Sequence, residues 1–481
     1  MIPLVAWLLL LLSSPSSLLI EKKDKVDWLI VGGGLHGVHI AARLIAVGSS
    51  LAIVDEEARL LTKWKSRAAA TGMKYMRSSA SFHLDVDVAS LRRFAATATA
   101  DAAAVSTIPK KKRRQRHRSS SSSRQHFTSD YERPSLDLFN RHCDHVIQKY
   151  GIEDLHICGR VQRIDPTKDN QSVTVTIATS GHDSTTVSAK QVVLAMGFDD
   201  PKIPAWALVK EEEGGEYPQK PPIQHVLDLT TTTTSHSASG DIVIVGGGIS
   251  AVHKALQLAE QQQSTTSSST SVIHIVSPHP LQEQQFDTHQ DWMMTAQTAA
   301  QSLQAGGSGF PDRFMKFRQL ESFIDRRTVI RQARKAGTVP TALTRGGLKH
   351  AIDKGNIQWH VATIDRVTST ASLTDSNDDS RDVTSACIHL STGETISTSW
   401  DNIVLATGFG SSPPSAPLIH QIAKDFNLPL APCGYPMVDH TLRWHPRVIV
   451  SGGLAELELG PSARNLAGAR MAAERIVASN Q

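Results

Sequence analysis

Six short runs of the chain are apolar almost without interruption: residues 28–31, 51–54, 192–195, 242–245, 272–276 and 403–406. They are rich in Val and Ile and lack the alternation of a half-exposed strand, so they predict strands buried on both faces, as in a parallel sheet. Helical periodicity lies between them, at residues 57–64, 89–96 and 250–260, and at 136–147, where Ser135 can cap a helix that carries Leu136, Leu138, Phe139 and Val146 on one side. Strict alternation is seen at Val173, Val175 and Ile177, which predicts an antiparallel strand. The order of these elements repeats. Residues 159–165, a hairpin and residues 192–198 in the first half answer to residues 364–367, a hairpin around 391–395 and residues 403–409 in the second. A repeat at this scale predicts two domains of one design.

The first run of each half ends in glycines. Gly32, Gly33 and Gly34 follow residues 28–31, and with Gly37 they give the spacing G-x-G-x-x-G; Gly246, Gly248 and Ala251 give G-x-G-x-x-A in the second half, with Ser250 opening the helix. The first glycine of such a motif permits a tight strand-to-helix turn, the second lets backbone approach a pyrophosphate, and the third lets the helix pack on the sheet. The N–H groups of the first helical turn then face the phosphate charge. Asp55, at the end of the second apolar run and about 20 residues on, stands where a ribose hydroxyl needs an acceptor. The pattern therefore predicts the α/β class, with two Rossmann-like dinucleotide-binding domains, each carrying a β-hairpin or meander insertion.

Composition refines this picture at three places. Residues 97–126 are Ala/Thr-rich, then basic, then a serine run, and predict a disordered insertion. The net charge of +4 includes +7 from Lys110, Lys111, Lys112, Arg113, Arg114, Arg116 and Arg118, leaving −3 for the rest; no nucleic-acid surface is expected. The four cysteines, Cys143, Cys158, Cys387 and Cys433, form no close pair and have no histidine at zinc spacing, so neither a redox disulfide nor a metal site is predicted. Residues 2–20 are signal-like, apolar and short of the ~20 residues of a comfortable span. A secretory or organelle-targeting leader, an uncleaved anchor and a start-site artefact stay open there; without a leader the expected compartment is the cytoplasm, and membrane association would involve residues 2–20 only.

With these residues in view, the chain resembles the two-dinucleotide-binding-domain flavoproteins, most closely the flavin-dependent monooxygenases that N-hydroxylate lysine or ornithine and their relatives. The resemblance rests on the paired glycine turns, on the A-[MT]-G-F strand ends at residues 195–198 and 406–409, and on the G-P-S-A-R-N-L-A-G-A-R segment at residues 460–470. It implies FAD on the first motif and NADPH or NADH on the second. The implied domains are an FAD-binding part at 27–200, an NAD(P)-binding domain at 240–370, and a return to the FAD domain at 385–481 with a flavin-contacting C-terminal helix. The implied cofactor contacts are Gly32, Gly33, Gly34, His36, Gly37, Asp55 and Val161 in the first half, and Gly246, Gly248, Ser250, Ala251 and Gly408 in the second. Gly460, Arg464, Asn465 and Gly468 complete the set from the closing segment. Lys74, Arg77 and His83 are candidates for the flavin or substrate pocket, with a surface turn as the equal alternative. The implied reaction consumes NAD(P)H and O2, adds oxygen at flavin C4a and oxidises nitrogen or sulfur of a small molecule. An electron-transfer reductase and a non-catalytic nucleotide-binding protein of the same fold are the other two readings, and no catalytic side chain is assigned.

Overall fold

The computed structural model describes residues 25–479 apart from 105–126, 128, 130, 180–182, 199–200, 209–222, 229–239, 265–270, 294–303, 305–310, 336, 371–384 and 411. Residues 1–20 and the basic run at 110–118 lie outside the described residues. Among the described residues no helix is long and apolar enough to cross a membrane.

The first sheet is built from β1 (Lys25–Val31), β2 (Leu51–Asp55), β3 (His156–Cys158), β4 (Arg160–Pro166), β5 (Val173–Ala178) and β6 (Ser184–Leu194). The second sheet holds β7 (Gln224–His225), β8 (Asp241–Val245) and β9 (Ile273–Ser277); β10 (Gln282–Glu283) and β11 (Thr338–Val339) pair only with each other. β12 (Ile357–Val361), β13 (Ile364–Thr370), β14 (Ser385–Leu390) and β15 (Thr395–Leu405) complete the second sheet. The chain then returns to the first sheet with β16 (Arg443–His445) and β17 (Val448–Val450).

Register makes the repeat visible. β1 lies between β2 and β6, all parallel, as β8 lies between β9 and β15; β6 continues into the antiparallel β5 and β4, as β15 continues into β14 and β13. β1 is apolar on both faces because both are covered: Leu29 and Ile30, successive residues on opposite faces, are fully buried. The helix Leu466–Ala478 contributes Ala467, Ala472 and Ala473 to the core, and these small side chains allow close packing.

Four features differ from the expectations. β14 and β15 lie in the second sheet, so residues 385–405 are not part of the return to the first domain; β15 is long enough to serve both as a hairpin strand and as the parallel neighbour of β8. Residues 97–104 continue the helix Ser90–Ala104, as alanine, the best helix former, allows, while 105–126 lie outside the described residues. The helix expected at 57–64 is found at Thr62–Ala70. Finally, Phe286, Trp292, Phe314, Phe317 and Ile330, placed by position in the chain within the second domain, are buried in the hydrophobic core of the first. The segment that carries them thus straps the two halves together.

Candidate nucleotide and flavin cleft

β1 runs into Gly32, whose φ of +113° suits glycine, and a Cβ there would stand 2.6 Å from the Ala195 carbonyl oxygen. A Cβ on Gly37 would collide with the Gly32 carbonyl oxygen, whereas one on Gly34 would meet nothing within 4 Å. Gly34 is thus the open cradle, and Gly32 and Gly37 are the tight positions around it. The Gly33 N–H donates to Asp55 Oδ2 at 2.6 Å, and the Glu57 N–H donates to Asp55 Oδ1 at 3.0 Å, which fixes the carboxylate beside the turn. Gly246 repeats Gly32 with φ of +129°, and the space at Gly248 is open to 3.8 Å. Ala251 is fully buried at the position of Gly37.

A cavity of about 370 Å³ opens over the first turn. Its floor is Gly32, Gly33, Gly34 and His36; Trp64, Met73 and Leu227 supply apolar walls, and Arg67 and Arg464 supply charge. A second cavity of about 550 Å³ shares Gly32, Asp55, Lys63, Arg67 and Phe198 with the first and extends to Val161 and Gln421. Both have the size of small-molecule sites. Together they run from the strand end at Asp55, past the glycine turn, to the junction between the halves. The Phe198 and Phe409 rings, one from each repeat, stack at that junction with centroids 4.5 Å apart. Arg67 lies over Phe409 and Arg464 over Phe198, at 5.5 and 5.4 Å.

His36 Nδ1 is 3.1 Å from Ser451 Oγ, while Nε2 is buried without a hydrogen-bond partner. Burial lowers its pKa to about 4, so the ring is neutral at neutral pH. Arg464 is held from behind: its Nε donates to Glu456 Oε2 at 2.7 Å and an Nη donates to the Tyr435 hydroxyl at 2.6 Å. Glu456 is 1% exposed and also pairs with Arg327. The network fixes a guanidinium at the cleft wall rather than leaving it to solvent.

These residues fit an FAD molecule: a cradle at Gly34 that a Cβ would fill, an acceptor at Asp55 for ribose, and an orphaned imidazole nitrogen on the floor. The structure brings Gly32, Gly33, Gly34, His36, Asp55, Val161, Ser250 and Arg464 onto the two cavity walls. Other expected residues take different roles. Gly460 ends the helix Glu456–Leu459 with φ of +76° and faces Phe317. Asn465 caps the last helix by accepting from the N–H groups of Ala467 and Gly468, and a Cβ on Gly468 would collide with the Ser462 and Ala463 carbonyl oxygens. Gly408 accepts from the Lys202 N–H at 2.8 Å where the two linkers cross, and its neighbour Phe409 lines the cavity instead.

The three pocket candidates need correction. Lys74 is exposed and ion-paired to Glu260 at 2.5 Å, since its helix neighbour in the second half offers a carboxylate at the surface. Arg77 lines neither cavity and donates to the Gln284 and Phe286 carbonyl oxygens and to Thr338 Oγ1, which ties the strap to the first domain. His83 is buried, with Nε2 3.1 Å from the Val88 carbonyl oxygen and Nδ1 accepting from the Asp85 N–H. Lys63, Trp64, Arg67 and Met73 were not anticipated as individual wall residues. Lys63 and Arg67, four apart on one helix, are the signal that could have found two of them.

Residues 123–300 match the family model of L-lysine 6-monooxygenase/L-ornithine 5-monooxygenase, and residues 29–199 match that of FAD-NAD(P)-binding proteins. No curated protein matches the sequence. Among solved structures, the ornithine N-hydroxylase of Kutzneria sp. 744 aligns with a TM-score of 0.63 at 16% identity, covering 95% of this chain and 98% of that one. The ornithine hydroxylase of Pseudomonas aeruginosa, in its reduced form, aligns with a TM-score of 0.63 at 15% identity over 94% and 98%. The cadaverine monooxygenase of Erwinia amylovora, solved bound to FAD, gives 0.63 at 12% over 94% and 93%. At these identities the likeness is one of fold.

Proposed function

We infer that this chain, a two-dinucleotide-binding-domain flavoprotein carrying the lysine/ornithine monooxygenase family model, is an FAD-dependent, NAD(P)H-using monooxygenase that oxidises a nitrogen of a small amine. One observation carries the reading beyond the matches. Ser250, from the second glycine turn, lines the same cavity as Gly32, Gly34 and His36 from the first. Two nucleotides seated on the two turns would therefore meet in one shared cleft.

FAD, once bound, supplies the redox and oxygen chemistry; the chain supplies position, charge and exclusion of water. The first turn and Asp55 would hold the pyrophosphate and ribose. Val161 and Gln162 would flank the adenine in the second cavity. Arg67 and Arg464 offset anionic charge along the cleft, and Arg464 needs no reorganisation because Glu456 and Tyr435 already hold it. Trp64, Met73, Leu227 and the Phe198–Phe409 stack give the junction an apolar lining, which would limit water there once the nucleotides fill the cavity. The neutral His36 ring can donate or accept one hydrogen bond from Nε2 without adding charge.

Purified protein tests this directly. A flavin absorbance band, NAD(P)H consumption that rises with an added diamine or basic amino acid, and a product heavier by one oxygen atom are expected. Consumption yielding only peroxide or a reduced acceptor across a panel of amines and sulfides would refute the monooxygenase reading. Colourless protein that takes up no FAD would refute the flavoprotein assignment.

A further inference from the structure

The strap reaches the first cleft through three arginines. Its helix Phe323–Ala333 lies against the short helix Glu456–Leu459, just before the closing segment that carries Arg464. Arg326 donates from Nη1 to the Leu457 carbonyl oxygen and to Glu458 Oε2, both at 3.0 Å, and Arg334, just past the helix, donates to the Pro461 carbonyl oxygen at 3.1 Å. These contacts seat the helix. Arg327, 8% exposed, then pairs with Glu456 Oε1, and its guanidinium carbon lies 4.5 Å from the centre of the Tyr435 ring.

The two oxygens of the Glu456 carboxylate are thereby shared out. Arg327 takes Oε1, and Arg464 reaches Oε2 through Nε alone. A guanidinium left to itself tends to grip a carboxylate through two parallel N–H bonds. Here one oxygen is occupied, and Arg464 turns one Nη to the Tyr435 hydroxyl instead. Its other Nη has no partner among the described residues, while the side chain lines the first cavity with Gly34 and His36. Charge follows the same division. Two guanidinium groups on one carboxylate leave one positive charge, and with Glu456 buried, water screens it little. Without the charge of Arg327, Glu456 and Arg464 would cancel.

We propose that Arg327 is a positioning residue for the FAD site: by occupying Glu456 it leaves the charge of Arg464 to the cleft, where FAD would bring the negative charge of its pyrophosphate. This rests on the reading of the first turn as the FAD site, and it makes that site depend on a helix that chain order assigns to the second half. The test is calorimetric titration of FAD-free protein with FAD. Arg327→Gln, which keeps an N–H donor for Oε1 but not the charge, should lose about tenfold or more in affinity, whereas Arg327→Lys, which keeps the charge, should stay within about threefold of wild type. Arg464→Gln should lose at least as much as Arg327→Gln. Combining Arg327→Gln with Arg464→Gln should weaken binding no more than about twofold beyond Arg464→Gln alone, since Arg327 acts through Arg464. Melting of the FAD-free proteins reports that each variant folds. Wild-type affinity in Arg327→Gln, equal losses in the Lys and Gln variants, or a full further loss in the double variant would overturn the role of Arg327. Unchanged affinity in Arg464→Gln would overturn it as well, by removing the cleft charge it acts through. Wild type that takes up no FAD would instead overturn the reading of the first turn.

Discussion

Replacing Gly34 by valine separates cofactor binding from folding. Gly34 caps the helix Leu35–Ala46 with φ of −79°, a conformation open to any residue, and a Cβ there meets no atom within 4 Å. Loss of a favourable cap residue costs about 0.5–1 kcal/mol, and the reduced freedom of the unfolded chain returns about 0.4–1 kcal/mol. FAD-free Gly34→Val should then lie within about 1 kcal/mol of FAD-free wild type, a change of about 2–4 °C in melting temperature at most. FAD at a thousand times its dissociation constant adds about 4 kcal/mol to a protein that binds it. The variant, with its side chain where the pyrophosphate would sit, should lose that increment. Thermal melts with and without added FAD, and the flavin band of purified protein, read both quantities. Gly37→Ala is the contrasting control: its Cβ would collide with the Gly32 carbonyl oxygen, so it should be destabilised by about 1–3 kcal/mol or more even without FAD. Yellow Gly34→Val protein with the wild-type FAD-dependent melting shift would refute the placement of pyrophosphate on this turn.

Three other outcomes are expected. Lys74→Ala should cost under about 1 kcal/mol and leave flavin content unchanged, because its ion pair with Glu260 is exposed and outside the cleft; loss of flavin would return Lys74 to the pocket. Glu456→Gln should lower stability by about 3–5 kcal/mol in denaturant melts, since Arg327 and Arg464 would keep their charges without the buried carboxylate; a wild-type midpoint would refute the network's role. Burial lowers the pKa of His36 to about 4 and those of His39, His83 and His142 to about 3, from 6.5. The unfolded chain therefore binds more protons below pH 6.5. The stability these neutral rings lend is complete above that pH and is lost progressively as pH falls, through about 4 for His36 and about 3 for the other three. The urea midpoint should be lower at pH 5 than at pH 7.5, and an unchanged midpoint would contradict the burial of these groups.

Much of the fold was legible because its signals are local. Apolar runs ending in glycine mark β1 and β8, and their turn geometry depends only on neighbouring backbone, as the positive φ of Gly32 and Gly246 shows. Ser135 could be read as a cap because capping involves residues three apart, and its hydroxyl accepts from the Leu138 N–H. The site was less legible. Lys74, Arg77 and His83 look equally polar along the chain, yet one is at the surface, one ties down the strap and one is buried against the Val88 carbonyl oxygen.

The sequence by itself determined that two strand–glycine–helix units exist, where each begins, and that Asp55 stands at the end of the second strand of the first. Tertiary structure alone decided which residues share a wall. Phe198 and Phe409 are 211 positions apart and stack because two linkers cross between the halves. Arg464 reaches the cleft because Glu456 and Tyr435 hold it there, while Gly460 and Asn465, close beside it in the chain, spend their geometry on ending one helix and starting the next. Such placements depend on contacts between residues distant in the chain, which neither periodicity nor spacing encodes.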